Sequence, residues 1–98
     1  MASLADIISK ERLLLIDFSA EWCGPCKMLA PVLKEVKSKL GDKVTILKLD
    51  VDKNPVAAQS YQIQGVPTLI LFKAGKQVWR QSGLVPAPAL QQLIENHQ

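Results

Sequence analysis

The chain has little of several things, and each shortage excludes something. Two cysteines among 98 residues are too few for a disulfide-stapled scaffold. A single histidine, His97, leaves a zinc site short of the four ligands it needs unless two copies share one. Aromatic residues make up only 5%, and they do not interleave with basic residues as a stacking platform for single-stranded nucleic acid does. No apolar run approaches the roughly 18 residues of a membrane span. The longest aliphatic stretch, Leu13 to Ile16, is stopped by Asp17. The first ten residues lack the basic start and apolar core of a signal peptide, so the expected location is cytoplasmic, with no membrane partner. The net charge is only +3. Lys34, Lys37, Lys39 and Lys43 fall along and just after one predicted helix, as on a solvated face. No nucleic-acid partner is expected.

What is present is ordinary globular composition, 48% hydrophobic and 21% charged. There are no repeats, linkers or low-complexity segments. Residues 1–98 therefore read as one domain, small enough to keep little stability in reserve.

Helix and strand patterns alternate, which predicts an α/β fold. Residues 3–10 form a short helix, with Ser3 and Asp6 placed as a capping box. Residues 13–19 (LLLIDFS) are nearly all apolar, as in a strand buried on both faces. A helix over 24–40 carries Leu29, Val32, Leu33, Val36 and Leu40 at helical spacing. Gly41 ends it, and Pro31 inside it predicts a kink. A strand over 44–50 follows, then a short helix with Asn54 as cap and Pro55 at its first position. Strands at 68–73 and 76–82 turn at Ala74-Gly75 into a hairpin. The last helix starts near Pro88 and buries Leu90, Leu93 and Ile94. The first two strands join in a right-handed parallel unit. The expectation is a mixed four-stranded β-sheet flanked by four helices.

The informative feature is Cys23-Gly24-Pro25-Cys26 at the start of the second helix. Residues three apart share a helix face, so the sulfurs can meet as a disulfide or stand as a close dithiol. Cys23 falls at the helix N-terminus, where unpaired N–H groups and the dipole favour the thiolate, the attacking species. Cys26 lies one turn deeper and is expected to be less exposed. One sulfur is placed to attack and the other to resolve. Cys23 also follows a strand's carboxyl end, where α/β sheets put their ligands, and Trp22 can shield one flank of it. A half-site for shared zinc and a structural disulfide are the alternatives, and no metal ligand set is expected.

Trp22-Cys23-Gly24-Pro25-Cys26-Lys27, preceded by Asp17-Phe18 and followed by Pro31, resembles the thioredoxin family. So do Asp50-Val51-Asp52, Asn54-Pro55, Gly65-Val66-Pro67-Thr68, Leu71-Phe72-Lys73, Gly75 and Gly83, in the family's order and spacing. The resemblance runs from about residue 4 to the end. It implies a thioredoxin-like fold and a protein-disulfide reductase, with Cys23 as nucleophile and Cys26 as resolving thiol. Asp17 matches the family's buried aspartate, whose burial raises its pKa and suits it to accept the Cys26 proton through water. Lys48 matches the lysine paired with that aspartate, in a strand where an unpaired buried charge would be costly. Pro67 matches the family's cis proline, although only about 5–6% of X-Pro bonds are cis. Trp22, Val66, Pro67 and Gly83 are the implied docking rim, with an extended client pairing to Val66. Gly24 and Pro25 between the cysteines mark reductants in this family. The resemblance also implies that no cofactor is bound beyond the Cys23–Cys26 disulfide. Electrons come from NADPH through a separate thioredoxin reductase, since this chain has no nucleotide-binding glycine motif. Disulfide-containing client proteins are the other partners.

The match departs from the family at its start, where the usual first β-strand is missing and Met1 leads directly into a helix. Strand 44–50 then becomes a sheet edge, which invites association. A monomer is expected, with a weak edge-to-edge dimer as the alternative. Ser19 stands where many members have tryptophan, Gln62 replaces a frequent glycine, and Pro86 and Pro88 replace the usual cap residues of the last helix. Trp79 reads as edge packing and His97 as solvated. Three functions compete: a general reductase, service to one client or as an isomerase, and an adaptor that uses the docking surface alone. Retention of Cys23, Cys26, Asp17 and Pro67 together argues against the adaptor.

Overall fold

The computed structural model describes residues 3–98; the expected lead from Met1 into a helix falls outside the described residues. The first described element is α1 (Leu4–Lys10). Its capping box is formed: the Asp6 N–H donates to Ser3 Oγ at 3.1 Å, and the Ser3 N–H donates to Asp6 Oδ2 at 3.2 Å. Strand β1 (Leu13–Ser19) is buried along its whole length, as its nearly continuous apolar run predicts. Helix α2 (Gly24–Leu40) continues through Pro31, where the missing N–H leaves the Lys27 carbonyl without its intrahelical donor. Gly41 caps it in a positive-φ conformation, and a single 3₁₀ turn (Gly41–Lys43) leads into β2 (Thr45–Asp50).

Helix α3 (Pro55–Ser60) starts at Pro55 as expected, but Asn54 does not cap it with its side chain. The Asn54 amide donates instead to the Asp50 carbonyl at 3.0 Å, which ties the side chain back to the end of β2. Strands β3 (Thr68–Lys73) and β4 (Lys76–Ser82) form the expected hairpin. Helix α4 (Ala87–Asn96) begins one residue before Pro88.

The strand order is β2-β1-β3-β4. Strand β1 pairs in parallel with β2 and antiparallel with β3, so the sheet is mixed. Alternation along β1 divides the core in two. Leu13 and Leu15 face α2 and α4 with Leu69 and Leu71. Leu14, Ile16 and Phe18 face α1 and the end of α3, where Tyr61 and Ile63 pack, with Ile70 and Phe72. Trp79, opposite Leu71, packs against the first of these cores, the edge packing anticipated for it. Among the described residues β2 has no neighbour on its outer side. All of its residues are partly or fully accessible.

Candidate active site

The site is assembled where β1 gives way to α2. After Ser19 the chain turns through Ala20, Glu21 and Trp22, and Cys23 becomes the N-cap of α2. The Cys26 N–H points at Cys23 Sγ at 3.1 Å, so the sulfur receives one of the helix's orphan donors. The two cysteines are joined as a disulfide, their Cα atoms 5.3 Å apart. The expected difference in exposure between them is not present. Cys23 is 3% and Cys26 2% exposed, because Ala20, Val51 and Val66 close over both sulfurs.

Facing Cys23 is the segment that enters β3. The Val66–Pro67 peptide bond is cis, and the Val66 carbonyl oxygen lies 3.6 Å from Cys23 Sγ. Gly83, at φ 92°, donates its N–H to the Pro67 carbonyl at 2.8 Å. The structure thus brings Cys23, Cys26, Val66, Pro67 and Gly83 together, while Gly24 and Pro25 form the exposed first turn of α2. Trp22, next to Cys23 in the chain, stands 71% exposed, its indole N–H donating to Asp52 Oδ2 at 2.8 Å. Trp22, Val51, Ile63, Gln64, Gly65 and Val66 line a pocket of about 120 Å³.

Asp17 is the buried acid of β1, two residues before the strand ends at Ser19. Strand alternation turns it to the α2 face, in line with Leu13 and Leu15. It is 1% exposed, and neither carboxylate oxygen has a hydrogen-bond partner. Burial pushes its pKa from 3.8 up to about 6, while the positive charge of Lys48 pulls it back. Lys48 is the register partner of Asp17 across β1 and β2. It is nevertheless not a desolvated lysine in an ion pair. Because β2 is an edge strand, Lys48 is solvent-exposed and borders a cleft of about 260 Å³ with Ser19, Cys26, Lys27 and Asp50.

The chain as a whole matches the family model for thioredoxin over residues 2–96. It belongs to the thioredoxin family. It is 55% identical over 96 residues to a thioredoxin of Chlamydia trachomatis, covering 98% of this chain and 92% of that one. A solved mutant thioredoxin of Halobacterium salinarum superposes with a TM-score of 0.87 at 44% identity, covering 96% of this chain and 81% of that one. A bifunctional thioredoxin reductase/thioredoxin of Mycobacterium leprae is 48% identical over 86 residues, covering 88% of this chain and 19% of that protein. Family membership together with the Cys23–Cys26 disulfide makes this thioredoxin-family chain a protein-disulfide oxidoreductase with a thioredoxin-like fold.

Two polar side chains near the site were missed by sequence reasoning. Asp52 lies 30 residues from its partner Trp22, and Arg80 lies 18 and 19 residues from the carbonyls it binds. Asp52 stands in one of the family-like runs, but no local pattern pairs it with Trp22. Among the described residues no group of three or more His, Cys, Asp and Glu side chains converges as a metal site. No helix there is long and apolar enough to cross a membrane.

Proposed function

We propose that the chain, acting as one domain over residues 1–98, is a general cytoplasmic electron donor to protein disulfides. The observation that carries this reading is Cys23 Sγ seated on the N-terminus of α2, with the Cys26 N–H aimed at it and the Val66 carbonyl opposite. In the reduced protein that N–H and the helix dipole favour a thiolate at Cys23. The thiolate attacks one sulfur of a client disulfide, forming a Cys23–client disulfide and expelling the other client sulfur as a thiolate. Cys26 then loses its proton and attacks Cys23 Sγ. The Cys23–Cys26 disulfide forms and the second client sulfur leaves. Two electrons pass to the client, and the chain ends oxidised.

Asp17 receives the Cys26 proton through water in this scheme. With a pKa of about 6 it is largely ionised at neutral pH, yet basic enough to act there. Lys48 assists by its charge across the strand pair rather than by contact. Trp22, Gly24, Pro25, Val66, Pro67 and Gly83 form the docking rim, and the Val66 backbone, which lies outside the strands, offers an extended client an added-strand contact. No cofactor beyond the disulfide is bound. The dithiol is restored by a separate thioredoxin reductase that draws on NADPH; the Mycobacterium leprae relative carries both activities in one chain, as its name states. The chain works as a monomer, with β2-edge dimers as the weaker alternative.

The test is NADPH oxidation coupled through a thioredoxin reductase to insulin reduction, together with capture by the Cys26→Ser variant. Turnover that disappears in Cys23→Ser, and mixed disulfides from Cys26→Ser with many proteins, support the donor. Partner binding that persists without either cysteine supports the adaptor, and a redox potential well above the family's reducing range supports an isomerase or oxidase.

A further inference from the structure

Arg80 sits on β4 opposite Ile70. Cross-strand partners share a face, so Arg80 lies on the α1/α3 side of the sheet, where Ile70 is buried. Its guanidinium reaches the carboxyl end of α3: Nη1 donates to the Tyr61 carbonyl and Nη2 to the Gln62 carbonyl, the latter at 2.7 Å. Carbonyls at a helix end have no intrahelical donor, and a cation is favoured there by the dipole. Gln62 itself is held at φ 54°, a left-handed conformation uncommon for a residue other than glycine but frequent just past a helix end. The helix end is closed by the Gln62 N–H to Gln59 at 3.0 Å and the Ile63 N–H to Ala58 at 2.9 Å.

Directly beyond this fork runs Ile63-Gln64-Gly65-Val66, which supplies most of the pocket beside Trp22 and ends at the carbonyl facing Cys23. None of these residues belongs to a helix or strand, so the segment is placed by the packing of Ile63 and Val66 and by the polar contacts at its two ends. The far end is held by the Thr68 hydroxyl, which donates to the Gly65 carbonyl at 2.6 Å. The near end is held by Arg80, whose charge has no ion-pair partner among the described residues. We propose that Arg80 is a positioning residue for client docking, its two-carbonyl fork on Tyr61 and Gln62 setting where Ile63 to Val66 stand relative to Cys23. Arg80 touches neither sulfur. A planar fork is required, because a lysine ammonium is a point charge that does not reproduce the paired geometry.

The inference rests on the docking role given above to Val66, so Val66→Asp is measured beside Arg80→Gln and Arg80→Lys. Each variant is assayed for KM and kcat with insulin, for the rate with the small disulfide 5,5′-dithiobis(2-nitrobenzoate), and for redox potential. Arg80→Gln is expected to raise the insulin KM roughly fivefold, on the scale of a charge-assisted hydrogen bond partly transmitted to the rim. Its kcat, potential and small-disulfide rate stay within about twofold of the parent. Amide shifts in ¹H–¹⁵N spectra move for Ile63 to Val66, and Arg80→Lys recovers only part of the KM. An unchanged insulin KM in Arg80→Gln, with a raised one in Val66→Asp, overturns the role of Arg80 alone. Equal losses on insulin and on the small disulfide overturn it too, since a smaller folded fraction by itself produces that pattern. An insulin KM left unchanged by Val66→Asp overturns the docking reading itself.

Discussion

Replacing Asp17 with asparagine is expected to stabilise the oxidised protein at neutral pH and to change little near pH 4. The carboxyl titrates at about 6 in the folded chain against 3.8 ordinarily. The folded state therefore binds the Asp17 proton more tightly than the unfolded one. Where the folded state holds more protons, stability falls as pH rises. The Asp17 contribution is thus most favourable below about pH 4, declines as pH passes through about 6, and levels off above pH 7. At about 1.36 kcal/mol per pKa unit, the gap makes ionised Asp17 cost about 3 kcal/mol at neutral pH. Asparagine is nearly isosteric and uncharged, and it meets the same surroundings, where neither carboxylate oxygen has a partner. Its gain is accordingly about 3 kcal/mol at pH 7.5 and within about 1 kcal/mol of zero at pH 4. For a domain of this size that is a rise in Tm of roughly 10–20 °C. Urea unfolding of both proteins at the two pH values measures it directly. Equal displacement of the midpoint at both pH values, or no gain at pH 7.5, would refute the argument, because only an ionisation penalty switches off with acid. The same variant should slow the resolving step near neutral pH, since it removes the acceptor for the Cys26 proton.

Lys48→Met removes the charge that lowers the Asp17 pKa, so Asp17 titrates above about 6 in carboxyl ¹³C NMR; an unchanged or lower midpoint contradicts the coupling. Asp52→Ala frees the Trp22 indole from its 2.8 Å hydrogen bond, which is expected to alter Trp22 fluorescence and raise the insulin KM about two- to threefold, with the redox potential unchanged. Gly83→Ala places a Cβ at φ 92° and costs about 1 kcal/mol, read as a lower urea midpoint. A midpoint equal to the parent's shows that the backbone relaxes there.

The elements and the reactive pair were legible because local chemistry alone specifies them. A nearly continuous apolar run such as LLLIDFS has no fully polar face to turn to water, and Leu29, Leu33, Val36 and Leu40 repeat with the helix period; β1 and α2 follow within a residue. The three-residue spacing of Cys23 and Cys26 puts both sulfurs on one helix face without reference to the rest of the molecule. Properties that depend on neighbours distant along the chain were not legible in this way. Lys48 looks as though it needs a buried partner when only Leu47 and Leu49 are considered; its exposure follows from β2 lying at the sheet edge. Equal burial of the two cysteines comes from Val51 and Val66, supplied by later segments. Trp22 is turned toward Asp52, and Arg80 toward Tyr61 and Gln62, across separations that no periodicity spans. Spacing along one element decides which groups share a face. Solvent access and hydrogen-bond partners are decided by whatever the sheet brings up against that face.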